Sequence, residues 1–453
     1  MRFGLFYELQ LPRPWSASAE RELFRDALEQ VELADRLGIE YVWAVEHHFL
    51  EEYSHSSAPE IFLAAASQRT RDIRLGHGIV QTAPLYNHPV RTAERIASLD
   101  LVSNGRVEFG SGESSSIAEL DGFRIDPAQK RAMWREGLEV AIRCLTESPF
   151  TGHDGKYVSV PPRNVVPKPL QQPHPPLWLA CSQRDTIRLA AASGMGALAF
   201  SFIDPDQAAS WVREYEAALA ESCVPVGKSV TCEIACVTPM MLHRDEREAI
   251  ARGGEGASFF GYSLAHYYLF GDCVPGAASL WDAFQERRAR AVDTRASERA
   301  RSARRSAEPA RSGGASPRGA IGTPRQLRAH LLGYEAAGVD QIIFIVQAGK
   351  NRHPHIMESL ELFAAEVLPE FAERDPKQRA AKRARLEPAI ERALARRVDA
   401  APALPAGYRL PALAKPGLLE LGGEALLERI AVDTATGRSP DTAIDEELRK
   451  KVP

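Results

Sequence analysis

The stretch Tyr41-Val42-Trp43-Ala44-Val45 reads as a buried strand, because aromatic and β-branched residues suit a pleat packed on both faces. It stops at one carboxylate and two imidazoles, Glu46-His47-His48. The change from apolar to polar at one end recurs along the chain. Phe3–Tyr7 reads as a first strand, Ile73–Gln81 as a third with glycines that suggest a bulge, and Arg106–Gly110 as a fourth. Pro176–Ala180, Ala197–Phe200, Thr231–Met241 and Gln341–Gln347 complete a set of eight. Helical spacing fills most gaps, as in Glu20–Leu37 with Leu23, Ala27, Val31 and Ala34 on one face and Gly38 closing the end.

Strand and helix in alternation with short joints predict a parallel sheet, and eight such units predict a (β/α)8 TIM barrel over residues 1–372. Insertions are expected after strand four and after strand seven, the second spanning about 242–321. Within it, residues 285–320 offer one sizeable apolar side chain, Val292, among arginines and small residues, which predicts a mobile loop. Residues 373–453 form a charged, partly helical and proline-rich extension.

In such a barrel the residues just past each strand's carboxyl end line the catalytic mouth. Here these are Glu46-His47-His48, Gly78-Ile79-Val80-Gln81-Thr82, Gly110-Ser111-Gly112-Glu113-Ser114, Cys181-Ser182-Gln183, Ser201 and Gln347-Ala348-Gly349. Together they describe a mouth rich in hydrogen-bond donors, suited to a large polar ligand. A single strand-end histidine is also a common structural residue. The glycine–serine run after strand four is either a turn or a nest of N–H groups for phosphate oxygens. Ser182 and Thr186 serve equally as helix caps or as parts of an anion site at a helix start.

Composition narrows the function classes. A net charge of -4 argues against a polyanion partner, and the six cysteines contain no C-x-x-C pair, as expected of reduced thiols in a cytoplasmic protein. The first residues break their apolar run too early for a signal peptide, and no stretch suits a membrane span. A metal hydrolase would need ligands converging from several strands, and strands five to eight end without His or Asp, so no metal site is expected.

Val42–Phe49 (VWAVEHHF), Leu75–Val80 (LGHGIV), His88–Glu94 (HPVRTAE), Gly105–Gly110 (GRVEFG), Ile321–Pro324 (IGTP) and Gly338–Ile343 (GVDQII), with the closing Glu366–Pro369 (EVLP), fall in one order. In that order the chain resembles the bacterial luciferase-like, flavin-dependent monooxygenases over about residues 1–372. The resemblance implies a barrel that binds FMN, reduced by a separate flavin reductase, and uses O2 to oxygenate a small organic substrate through a C4a-peroxyflavin. It also implies a homodimer. It places His47 on the catalytic histidine, Glu46 on a neighbouring carboxylate, and Gly78-Ile79 on a bulged, often cis peptide beneath the flavin ring. Gln81, Gly110, Ser111, Ser182, Thr186 and Ser201 complete the expected cofactor contacts.

One departure stands out. Where several relatives carry a basic residue after GRVEFG, this chain has Glu113, which either turns away or leaves the phosphate to Arg184 and backbone groups. The aromatic run from Phe259 to Tyr268 either closes over the flavin or belongs to a surface loop that covers nothing. An ordinary imidazole would let His47 trade a proton near neutral pH, with Glu46 orienting it or bonding the ring. Two other readings of the same barrel are a deazaflavin-dependent hydride transferase and a flavin-binding protein without catalysis.

Overall fold

A computed structural model describes residues 1–200, 202–277, 279–303, 320–398 and 403–451 of the 453-residue chain. Its central sheet closes on itself as eight parallel strands: β1 Arg2–Tyr7, β2 Tyr41–Ala44, β3 Arg74–His77, β4 Val107–Gly112, β5 Leu177–Cys181, β6 Gly196–Ala199, β7 Ile234–Pro239 and β8 Gln341–Ile345. The order runs β3-β2-β1-β8-β7-β6-β5-β4, and β4 returns to β3 through Leu75↔Val107 and Gly76↔Glu108. After a break at Gly78-Ile79, β3 resumes as Val80–Gln81, still paired with β4. The expected bulge is therefore present. The Gly78–Ile79 peptide itself is trans, since the cis bonds among the described residues all precede proline.

Alternate residues of each strand face inward and outward. Phe6, Trp43, Val45, Trp178, Leu198, Val237, Ile343 and Ile345 form an inner cluster, whereas Phe3, Leu5, Val42 and Phe344 join the larger layer beneath the helices. Two indoles fill the inner space only because a glycine stands opposite each. Trp43 pairs with Gly76 and Trp178 with Gly196, and a Cβ on either glycine would lie 2.2 and 2.4 Å from the facing ring. On the outside, helix Ala19–Arg36 buries Leu23, Ala27, Val31 and Ala34, the spacing its sequence displays. Burial of each such leucine or valine contributes roughly 1.5–3 kcal/mol.

Residue 372, where the sequence places the end of the barrel, lies inside a helix, Leu368–Arg396. Phe371 of that helix packs edge-on to Phe3 with ring centres 5.5 Å apart, and Lys382 reaches the buried Asp340 at 2.6 Å. Contacts divide the chain at 400/401 instead. The second unit contains helices Lys415–Ala435 and Pro440–Lys451, joined to each other by an Arg429–Glu446 ion pair.

The second insertion also differs from expectation. Where a loop is expected from residue 285, helix Leu280–Ala303 continues, preceded by helix Glu246–Ala265 and a π-turn at His266–Phe270. Leu280, Trp281 and Phe284 anchor it by packing on Phe259, and Arg288 pairs with Glu255 on the neighbouring helix. Short-range composition does not reveal that anchor. The remainder of the expected loop, 304–319, lies outside the described residues.

Candidate active site

At the carboxyl ends of the strands a cavity of about 730 Å³ opens. Its walls are apolar, from Phe6, Val45, Leu179, Val237 and Ile345 of the strands and from Phe260, Leu264 and Tyr268 of the insertion. The aromatic cover is therefore in place, carried by the helix Glu246–Ala265 and the π-turn after it.

His47 sits on this wall between two carboxylates. Its Nδ1 lies 3.0 Å from Glu119 Oε1 and its Nε2 lies 3.6 Å from Glu8 Oε2. Burial alone disfavours the imidazolium, but Glu119 and then Glu8 more than reverse that and lift the His47 pKa to about 9. His47 thus holds a proton at neutral pH, contrary to the ordinary imidazole expected. Burial raises the Glu8 carboxyl to about 7, against the opposing pull of His47 and of the Tyr53 hydroxyl, which donates to Glu8 Oε1 at 2.9 Å. Glu8 Oε2 has no hydrogen-bond partner among the described residues. The Glu119 carboxylate is fully buried, and burial would raise its pKa. His47 and the hydroxyl of Ser114, donating at 2.6 Å, hold it below the usual range instead.

Glu46 is committed elsewhere. Its oxygens accept from the Gln81 backbone N–H at 2.8 Å and the Asn87 amide at 2.8 Å, and lie 3.1 Å from His48 Nε2. Glu119, not Glu46, orients His47. Glu46 instead fixes the β3 bulge against the end of β2. The Gln81 side chain donates to Glu119 at 3.2 Å, while its Oε1 is buried without a partner among the described residues.

Glu46, His47, Gly78, Ile79, Gln81, Ser182 and Thr186 all line the cavity, as the sequence leads one to expect. Gly110 and Ser111 do not. Gly110 is held under the His77 carbonyl, which a Cβ would approach to 2.0 Å, and the Ser111 hydroxyl accepts from the Trp134 indole at 3.1 Å. Both support the wall from behind. Arg184 turns to the outside, 3.5 Å from Glu214. Ser201 lies outside the described residues.

Glu113 remains at the rim, 2.7 Å from Arg131 and 4.0 Å from Lys130. Lys130 Nζ also donates to the Ser114 carbonyl at 2.7 Å. The basic charge missing after β4 is thus supplied from the start of a later helix, Lys130–Thr146, and Ser114, Ser115, Ser182, Gln183 and Thr186 line the same cavity. Cations in a helix's first turn oppose its dipole, and that was the available signal for Lys130 and Arg131. For Glu119, which the strand-end reading misses, the only local signal is Ser116-x-x-Glu119, the spacing of a capping box. Its carboxylate goes to His47, and Ser116 makes no side-chain cap bond. Such an arrangement can hold a flat conjugated ligand along the apolar wall, an anionic tail at the basic rim, and a proton at His47 Nε2.

Comparison with known proteins agrees with this geometry. The luciferase-like monooxygenase family matches residues 1–341. The oxygenase component of a flavin-dependent trigonelline monooxygenase from Acinetobacter baylyi is 30% identical over 199 residues, which is 43% of this chain and 52% of that protein. The chain spans about half the length of the first curated relatives it matches. Among solved structures, the monooxygenase RslO1 from Streptomyces bottropensis superposes with a TM-score of 0.63 at 27% identity, covering 82% of this chain and all of that one. The oxygenating constituent of 3,6-diketocamphane monooxygenase from Pseudomonas putida, in complex with FMN, shares the fold at a TM-score of 0.60 and 20% identity, covering 82% and 98%. The matched span takes in β1 to β7 whole, the first residue of β8 and the His47 site, and on that basis the chain belongs to the luciferase-like monooxygenase family.

Proposed function

We propose that this chain is the oxygenase half of a flavin-dependent monooxygenase pair, taking reduced FMN from a separate reductase and using O2 on a small organic substrate. The observation that carries the reading is His47 clamped between Glu119 and Glu8 on the wall of a 730 Å³ cavity with a basic rim. The residues present fit the cofactor. Gln81 Oε1 and Glu8 Oε2 are buried acceptors without hydrogen-bond partners among the described residues, the β3 bulge brings backbone to the wall, and Lys130 and Arg131 with Ser114, Ser115, Ser182 and Thr186 would hold a phosphate. The described relatives named as flavin-dependent, as an oxygenase component and as an FMN complex support the same assignment.

Bound reduced FMN would supply the activation of oxygen. The chain's own part is positional and protonic. Glu119 fixes the His47 ring through Nδ1, so the proton on Nε2 faces the cavity and can be donated to an oxyanion that develops there. Glu8, close to half-ionised near pH 7, can exchange a proton with that same nitrogen. Phe260, Leu264 and Tyr268 exclude water above them.

Anaerobic titration with reduced FMN, followed by oxygen, tests the reading. Stoichiometric binding and oxygen consumption coupled to substrate loss are expected. Binding of a deazaflavin but not FMN, with substrate-linked hydride transfer and no oxygen uptake, would replace it with the dehydrogenase alternative.

A further inference from the structure

The opposite end of the barrel contains a second cavity of about 390 Å³, lined by the first residues of the strands. Four charges on the strands and their leads face it. Arg2 at the start of β1 reaches the Tyr41 hydroxyl and, at 2.5 Å, Glu233. Arg74 at the start of β3 pairs with Glu108 of β4 and donates to Gln171 Oε1 at 3.0 Å. Glu108 also accepts from the Trp178 indole at 2.6 Å. Two guanidiniums and two carboxylates would by themselves make a neutral plug, as expected at the stability-bearing end of such a barrel.

The cavity is not neutral, because helix Leu368–Arg396 adds Arg379 and Arg383 to its lining. Their own partners, Asp375 at 3.1 Å and Glu387 at 3.5 Å, do not line the cavity. Lys382, on the same helix, is spent on Asp340. The lining therefore carries four guanidiniums against two carboxylates. Arg2 is 3% exposed, and its Nε finds no hydrogen-bond partner among the described residues. A buried N–H left unspent is costly unless an acceptor joins it, and Arg379 and Arg383, with exposed side chains, add positive charge that an anion arriving from solvent can reach. Both added arginines lie beyond residue 341, where the family match ends.

We propose that this cavity binds a small organic anion, a carboxylate or a phosphate monoester, whose oxygens take the guanidinium forks while its carbon skeleton rests on Tyr41 and Trp178. The site is separate from the flavin mouth. Phe6, Trp43, Leu198, Val237, Ile343 and Ile345 of the apolar inner cluster lie along the strands between the two ends.

The test is calorimetric titration of the full chain with succinate, glycerol 3-phosphate and inorganic phosphate, and with neutral succinamide as a control. One-site binding of succinate or glycerol 3-phosphate that weakens with salt is expected, and the better of the two identifies the oxyanion. The pair Arg379→Gln and Arg383→Gln, whose side chains are 51% and 72% exposed, should weaken it about 10-fold or more without lowering the melting temperature. Changing Lys130 and Arg131 at the mouth to Gln should leave it intact. Absence of saturable heat with every anion up to ~20 mM would overturn the proposal. So would equal binding of succinamide, or binding lost with the mouth pair but kept with the helix pair.

Discussion

The two ends of the barrel are both charged, yet they are built on opposite plans. At the amino end each carboxylate lining the cavity meets a guanidinium, Glu233 with Arg2 and Glu108 with Arg74. At the carboxyl end three carboxylates, Glu8, Glu46 and Glu119, stand around His47 and His48. Arginine keeps its charge at any working pH, so the first arrangement is static. An imidazole near 9 beside a carboxyl near 7 is not. The difference locates proton chemistry: it belongs where the partners can change their charge, and not merely where charges are buried.

Breaking the static end should cost the most. Arg74→Met leaves Glu108 buried with only the Trp178 indole, and a loss of about 3–5 kcal/mol in denaturant unfolding is expected. Turnover per folded molecule should be nearly unchanged, and a stability loss below about 1 kcal/mol would show that Glu108 is already solvated. At the other end, His47→Ala should lower turnover about 10²-fold or more while flavin affinity moves little. Unchanged oxygenation would remove His47 from the reaction.

The titrating pair makes a sharper distinction. Glu8 holds its proton more tightly folded than unfolded, so its contribution is complete below 4.5 and is lost as pH rises to about 7. His47 behaves alike, with its contribution lost between 6.5 and about 9. The melting temperature should therefore fall with rising pH across this range, and Glu8→Gln should remove the lower step together with any limb near 7 in the kcat profile. A variant with an unaltered profile would leave Glu8 as a structural acid. The smallest effect is expected at the rim. Glu113→Gln frees Arg131 and Lys130 and should tighten FMN roughly 2–5-fold while leaving riboflavin unaffected, which fluorescence titration can measure.

Much of this was legible in the chain. The strands lie within two or three residues of their apolar runs because the buried pleat leaves a dense, short-range signature, and Glu46, His47 and Gln81 follow directly from the strand ends. The histidine's true orienting partner was not legible in the same way. Glu119 lies 72 positions away on a six-residue helix, and only closure of the barrel brings it to Nδ1. Arg184 was misplaced for a related reason: it begins a helix, and whether its long side chain turns inward or toward Glu214 depends on a neighbouring helix that local spacing does not describe. The continuation of Leu280–Ala303 was hidden because Phe259, which its first turns pack on, is supplied by another segment.

The two indoles inside the barrel leave an imprint on how this protein can evolve. Each is seated against a strand neighbour with no side chain at all, so Gly76 cannot change before Trp43 has shrunk, nor Gly196 before Trp178. In descendants of this chain those positions should drift as locked couples, large with absent or medium with small, even where nothing nearby touches a ligand.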